Sequence, residues 1–515
     1  MKILSCARPD LIVDIATEAD TISVETATSQ AVSSPLAWGG NALRPAEPKM
    51  KLRMDGTKMR FAGASLALAA ALAAFPSAIR SRALAAPPNG PAKPAVDEPH
   101  QYTGPGSCSS TSCHGSIAPR TDNRVKQNEY SVWIVRDKHS RAYQALTGMV
   151  GERMATILNI GKAEEAPKCL ACHALDVPAS ERARTFDLSE GVSCESCHGP
   201  ASAWLGPHTE RNWTHEQSVQ AGMTDLRDVA LRTDKCLSCH LGSKDKLVDH
   251  QMIAAGHPDL YFELDSFSAS MPRHWNEPGE PGEAEGPKGT DQWYEVREWS
   301  AGQAVQLRQS LLQLADQTRS TDWPEYSQLE CYACHHSLGP AEQSWRQARG
   351  YPDRRPGDPP WNASRYIVFR EIVREVDPAA AQSLDSNILQ VTKLMSTLNP
   401  DHNAVAAAAT TTAQLADQLA TKFDTMPYDR ALTLRVLQRI CSDADSISNQ
   451  DEHAAAQAAM ALQSLFVAYD RNEKPANAPE VRAAIAGLFD QLQIPSSYDA
   501  NRFAHQMHNV SALLP

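Results

Sequence analysis

The chain has 515 residues, enough for two or three domains, with a formal net charge of −12 at neutral pH and a pI near 5.8. That acidity argues against nucleic acid as a partner and favours docking to basic protein surfaces. Aromatic residues make up only 6%, a thin supply of large apolar side chains for a core of this size.

Residues 1–49 are polar and mixed, without a helical period. From Met50 the pattern changes. Lys51, Arg53, Lys58 and Arg60 precede an apolar run, Phe61–Phe75, and Ala83-Leu84-Ala85 offers a small-x-small cleavage site. Residues 1–85 are therefore expected to be a leader and signal peptide, with a true start at Met50, Met54 or Met59 and export after removal near Ala85. An uncleaved membrane anchor is the alternative, since the apolar run is short for a span. Residues 86–98 form a proline-rich tether.

Ten of the twelve cysteines stand in pairs that each run into a histidine. These are Cys108/Cys113-His114, Cys169/Cys172-His173, Cys194/Cys197-His198, Cys236/Cys239-His240 and Cys331/Cys334-His335. Four of them are C-x-x-C-H, and the first, Cys108 with Cys113, is expanded to C-x4-C-H. Cysteines three apart lie on one face of a helical turn, where both thiols reach the vinyl groups of one porphyrin. The following histidine then supplies the proximal nitrogen to iron. Zinc and redox-dithiol sites share the C-x-x-C spacing, but do not demand a histidine after every second cysteine. The count implies five covalently attached haems c, whose flat apolar faces would supplement the sparse aromatics. Haem c is attached outside the bacterial inner membrane, which agrees with export to the periplasm. Of the two remaining cysteines, Cys6 precedes the signal peptide and Cys441 lies in a helical stretch.

Five irons need sixth ligands, and the histidines outside the signals are the default candidates. In Asn128–Leu146, Tyr130, Trp133 and Ile134 share one helical face, as do His139, Tyr143 and Leu146. That places His139 on an inner face. His208 follows the third signal and can be recruited by a neighbouring haem, while His215 sits in a polar run that reads as surface. After the fourth signal come His250, His257 and His274. His257 precedes Pro258 and is expected at a helix end; His250 and His257, seven apart, would share a face if that run is helical. His336 cannot reach the far side of the iron held by His335, and is expected to support another ligand. Residues 277–289 read as an acidic loop. Ala301–Thr318 reads as an amphipathic helix burying Val305, Leu307, Leu311, Leu312 and Leu314.

The expected domains are a pentahaem part over 99–345, a proline-rich linker over 346–362 and a helical part over 363–515. In the last, helices are expected over 365–376, 379–398, 403–423, 431–440, 453–469 and 481–492. His402, His453, His505 and His508 there read as core or surface rather than ligands. The fold class is mainly α: a multihaem cytochrome c fold of short helices and long loops around stacked haems, followed by an all-α C-terminal domain.

With these motifs in place, residues 104–240 resemble the cytochrome c-554 family of multihaem electron carriers. The matching features are an early C…CH, Trp133, the run His139-Ser140-Arg141-Ala142, CLACH, GVSCESCHGP, His208 eight residues beyond Pro200, and CLSCH. The resemblance implies that His139 and His208 are distal ligands and that the core carries electrons. The expanded first signal, the fifth signal and the C-terminal helices lie outside the family pattern. In outline the chain also resembles pentahaem nitrite reductases, but their usual signal ends in lysine and every signal here ends in histidine. Two functions follow. One is an electron carrier between a redox donor and acceptor; the other is an oxidoreductase acting on a small nitrogen or sulfur compound at one five-coordinate haem. No catalytic side chain is assigned.

Overall fold

The computed structural model describes residues 100–121, 125–243, 246–276, 292–331, 334–335, 355, 357–397 and 399–515. The leader, signal peptide and tether, most of the 346–362 linker, the acidic loop and His336 lie outside these residues. Among the described residues the chain is mainly helical, and the only β pairing is in isolated bridges. No described helix is long and apolar enough to cross a membrane.

The first half is built from short helices: α1 Glu129–Arg136, α2 Ala142–Leu146, α3 Met149–Leu158, α4 Pro167–His173, α5 Cys194–His198, α6 His215–Gln220, α7 Val229–His240, α8 His250–Ala255 and α9 Leu264–Ser270. Asp228 and Asp249 cap α7 and α8 by accepting from the backbone N–H groups of Leu231 and Met252. Gly256, at φ +112°, ends α8 in the left-handed region that other residues avoid. His250 and His257 therefore do not share one helical face.

The second half opens with α10, Tyr294–Gln317, and continues with α11 Ser364–Ile367, α12 Phe369–Val376, α13 Pro378–Met395, α14 His402–Thr425, α15 Arg430–Ser442, α16 Ala444–Gln450, α17 Glu452–Glu473, α18 Ala478–Gln491 and α19 Ala500–Leu513. The six expected C-terminal helices all appear, the first split into α11 and α12. α16 and α19 were not expected. α10 starts earlier than the amphipathic pattern suggests, and it is buried on nearly every side. Val305, Leu307, Leu311 and Leu314 are in the core as expected, but so are Ser300, Gln303 and Gln306. Leu312 faces out, as does Ile134 in α1.

α10 is the spine. It packs along α14, and also touches α7, α9 and α17. The main core accordingly runs from Val229 through α10 to Val510. Polar ties join the same parts. Arg308 bridges Asp234 of α7 and Asp417 of α14, both at 2.5 Å. Gln457 of α17 donates to the Phe262 carbonyl at 2.9 Å. Residues 98–515 thus form one compact unit, whose core passes from α7 and α10 directly into the C-terminal helices.

Candidate haem-binding site

The last four attachment signals lie on helical turns. The second fills the end of α4, the third, with Cys194 and Cys197, is α5, and the fourth ends α7. In the fifth, His335 donates its backbone N–H to the Cys331 carbonyl at 2.8 Å.

The first signal is the exception, and Cys113 is the attachment cysteine that departs from the shared-face geometry. Cys108 ends a single 3-10 turn over Pro105–Cys108. Cys113 lies beyond it in a separate turn, where its N–H donates to the Ser110 carbonyl at 2.8 Å. The physical reason is the spacing: cysteines five apart are rotated by roughly 140° about a helix axis, so no helical turn presents both thiols on one side. The chain solves this by looping the extra residues out. The His114 N–H still reaches the Cys108 carbonyl at 3.2 Å, which returns Cys113 and His114 to the start of the signal. Sγ of Cys113, half-buried, stands 3.8 Å from the Ser112 hydroxyl.

Ser193 and Ser196 form a reciprocal capping box that fixes the start of α5. Glu195, buried inside that signal, accepts from the backbone N–H groups of Thr103 (2.9 Å), Gly104 (2.7 Å) and Ala201 (2.7 Å). It binds the segment leading into the first signal to the third. The third signal also receives the turn that carries His139. Gly191 has φ +71°, and a Cβ there would stand 2.8 Å from the His139 carbonyl. Glycine therefore permits the close approach in which Val192 donates to that carbonyl at 3.1 Å. Trp133 donates its indole N–H to the Val192 carbonyl, also at 3.1 Å.

Four of the five histidines that close the signals face a second histidine. Ring centroids are 6.2 Å apart for His114 and His208, 6.2 Å for His240 and His139, 6.3 Å for His173 and His257, and 6.1 Å for His335 and His250. Two metal–nitrogen bonds of about 2 Å, with roughly 1.1 Å from each ring centre to its nitrogen, account for about 6.2 Å. The spacing is therefore that of two imidazoles on opposite sides of one metal. The interplanar angles range from 8° to 89°, as rotation about such an axis allows.

The other ring nitrogen is tied back. Nδ1 of His114 meets Glu129 at 2.9 Å and Nδ1 of His139 meets Asp137 at 3.0 Å. Backbone carbonyls hold Nδ1 of His173 (Ala142, 3.0 Å), His208 (Trp204, 3.1 Å) and His257 (Pro258, 2.7 Å). This is how ligand histidines are oriented in metal sites: one nitrogen is anchored and the other is left for the metal. Burial favours the neutral, ligating ring. It pushes His198 and His240 down to about 4 and lowers His257 and His274 below the ordinary imidazole value. The carboxylates act the other way: Glu129 raises His114 and Asp137 raises His139.

His198 and His274 are the remaining candidates. Among the described residues no histidine ring pairs with His198 at the 6 Å spacing, although His274 is among the charged groups that act on it. His274 is tied through Nδ1 to the Pro272 carbonyl at 3.3 Å and lies edge-on to Trp275. Other histidines are occupied or distant. Nε2 of His215 meets Asp225 at 3.0 Å, Nδ1 of His402 meets the Thr318 carbonyl at 2.6 Å, and His505 and His508 are exposed. His453 is buried and held by Asp259 at 2.7 Å.

The attachment cysteines also approach one another across signals. Cys108 and Cys194 are close enough to act on each other's ionisation, as are Cys172 and Cys239. The first signal thus neighbours the third, and the second neighbours the fourth. Among the described residues no group of three or more His, Cys, Asp or Glu stands together as a bare-metal site. Sequence reasoning named the facing histidines but missed Glu129 and Asp137 behind them. Asp137 sits two residues before His139 and could have been found as the cap of that turn.

Residues 108–199 match the family model described as cytochrome c554 and c-prime. This segment contains the first three signals together with Trp133 and His139, and it marks a c-type cytochrome involved in electron transfer, with covalently bound haem c. The fourth and fifth signals and all the C-terminal helices lie beyond the match. No curated protein and no solved structure matches the chain.

Proposed function

We propose that the chain is an exported pentahaem cytochrome that passes electrons between a redox donor and acceptor through closely spaced, mostly bis-histidine haems. The observation that carries this reading is the set of four facing histidine pairs, 6.1 to 6.3 Å apart. Bound there, haem supplies a one-electron couple at iron. The protein does the rest. His114, His173, His240 and His335 would each hold one haem iron, with His208, His257, His139 and His250 respectively as the second nitrogen donor, and a haem so held would have no open position for substrate. The Nδ1 partners of His114, His139, His173, His208 and His257 keep those rings aimed, so little rearrangement accompanies a change in charge. The thiol approaches between first and third signals, and between second and fourth, support close spacing of the attached groups. On this reading His274 is the sixth ligand facing His198. Export rests on the basic and apolar run over 51–85, and the partners are redox proteins with basic docking faces.

A second reading, an oxidoreductase for a small nitrogen or sulfur compound, is favoured by one observation. His198 has no facing histidine at the 6 Å spacing among the described residues. Electron paramagnetic resonance of the oxidised protein separates the two. Five low-spin irons, unaffected by nitrite or hydroxylamine, support the carrier. One high-spin iron that binds these molecules and turns over refutes it. A mass increase other than five haems contradicts the cysteine reading. A count of four, with the gap mapped to the first signal, would show that Cys113 does not complete an attachment from its separate turn.

A further inference from the structure

Beside the fifth signal, the haem-bearing half and the C-terminal helices enclose a cavity. It opens to solvent and is small, about 60 Å3, room for a carboxylate or another small anion rather than a drug-sized ligand. Its polar wall is made by Arg365 of α11, His453 of α17, Asp259, Gln313, Gln328 and Asn362, with Trp361 and Leu241 as apolar neighbours. Arg365 is the unusual member. A guanidinium carries five donors, yet its Nη2 reaches only the Leu260 carbonyl at 3.4 Å, and its buried Nε has no partner. It makes no ion pair among the described residues. The nearest carboxylate is engaged elsewhere: Asp259 takes Nε2 of His453 at 2.7 Å, and the Tyr261 ring stacks on that imidazole at 4.7 Å. Asp451, 3.7 Å from the other nitrogen of His453, caps α17. The side-chain carbonyl of Gln328 is also unpartnered.

A recessed guanidinium with one long bond to a carbonyl and an unpartnered Nε is under-satisfied, and its fork matches a planar carboxylate or oxyanion. Burial pulls Arg365 below its ordinary pKa, an unfavourable effect that a bound anion offsets. We propose that this cavity binds a carboxylate, or another small planar oxyanion, on Arg365. Two sources share that chemistry. One is a propionate of the haem attached at Cys331 and Cys334, since Ser327 and Gln328 line the cavity just before that signal and Asp259 and His453 both act on Cys331. The other is a free small anion. The first source rests on the five-haem reading above; the second does not. With either source, the C-terminal helices supply a binding group beside the fifth haem signal.

The test compares the holoprotein with Arg365→Gln and Arg365→Lys, after mass spectrometry has counted haems in each. A propionate at Arg365 predicts that Arg365→Gln lowers the potential of one titrating haem, that Arg365→Lys largely restores it, and that acetate does not bind saturably. A free-anion site predicts that acetate or nitrite binds the wild type at one site by calorimetry, at least tenfold more weakly in Arg365→Gln, with all haem potentials unchanged. Unchanged potentials together with no saturable binding of either anion to the wild type overturn the proposal. A haem missing from the fifth signal removes only the propionate source and leaves the calorimetry to decide. Should Arg365→Gln fail to fold, Arg365→Met, which also removes the charge at similar length, takes its place and is read in the same way.

Discussion

Replacing Glu129 by glutamine should raise the potential of one haem while leaving its coordination intact. Oε2 of Glu129 meets Nδ1 of His114 at 2.9 Å, and Oε1 accepts from the Gln127 N–H at 3.1 Å, so the carboxylate is fixed in place. It is largely shielded from water, its side chain being 17% exposed. A carboxylate on the far nitrogen of a ligand imidazole makes that ligand a stronger donor and stabilises the more positive, oxidised iron. Glutamine keeps the shape and removes the charge. Hydrogen bonds to charged groups are worth about 1.5–3 kcal/mol against about 0.5–1.5 for neutral ones, a difference near 1 kcal/mol. For a one-electron couple, where a tenfold change is about 59 mV, that amounts to roughly 40 mV. Spectroelectrochemical titration of Glu129→Gln should therefore show one haem shifted upward by about that amount, with low-spin resonance signals unchanged in number. A potential that stays put, or moves downward, would mean that the contact does not reach the iron and would refute the reasoning.

Other outcomes follow from the same geometry. His139→Ala should leave a single haem high-spin by electron paramagnetic resonance, the one served by His240; an unchanged low-spin count would show that His139 is not its ligand. Glu195→Gln should destabilise the fold by about 3 kcal/mol, because a buried carboxylate accepting from three backbone N–H groups would be replaced by an amide that presents a donor to them. Denaturant melts of the holoprotein test this, and a loss under about 0.5 kcal/mol would contradict it. Glu452 gives a pH dependence. Burial raises it from 4.5 to about 7, so its effect is absent below about pH 4.5, costs stability as pH rises from there through 7, and levels off above at roughly 3 kcal/mol. Glu452→Gln should match the wild type near pH 4.5 and melt higher at pH 8; equal melting at both would show that the carboxylate is solvated.

The facing histidines were legible one at a time but not as pairs. Cysteine spacing singled out one member of each pair, and position in the chain, with the family resemblance for His139 and His208, singled out the other candidates, His250, His257 and His274 among them. Each facing pair is separated by more than eighty residues of chain, and nothing in local periodicity encodes that distance. The expanded first signal was visible as a spacing, but not the way it closes: Cys113 leaves the turn of Cys108, and a backbone bond from His114 brings it back. The seven-residue spacing of His250 and His257 suggested a shared face, yet Gly256 ends the helix between them and sends the two toward different signals. α10 was underestimated because the amphipathic reading began at Ala301 and named only apolar positions as buried, whereas Ser300 and Gln303 are buried too. In the fold Ser300 donates back to the Val296 carbonyl at 2.6 Å, and Gln303 donates to Gln457 at 3.3 Å. α19, by contrast, carried a readable pattern: Asp499 as a cap, then Phe503, Met507 and Val510 on one buried stripe.

The uneven distribution of apolar burial bears on what the haems do besides carry electrons. Among the largest fully buried side chains, the earliest in sequence is Leu237, and most belong to α10 and the helices after it. Before Val229 the second core holds only Leu146, Ala155, Ala163, Leu170 and Ala174. Residues 100–228 bury too little of their own surface to offset the entropy of ordering short helices and long loops. On the five-haem reading, porphyrin faces take the place of the missing side chains, and each axial pair ties two distant stretches together. The fourth signal is held differently. Asp234, two residues before Cys236, is fixed by Arg308 of α10, which in turn bridges to α14. The protein-built core therefore anchors one end of the set and leaves the other end to be built on its cofactors. A carrier gains from that arrangement. Electron exchange requires fixed spacing, and the α10 spine supplies a rigid reference from which haem-to-haem contacts can propagate toward the first signal.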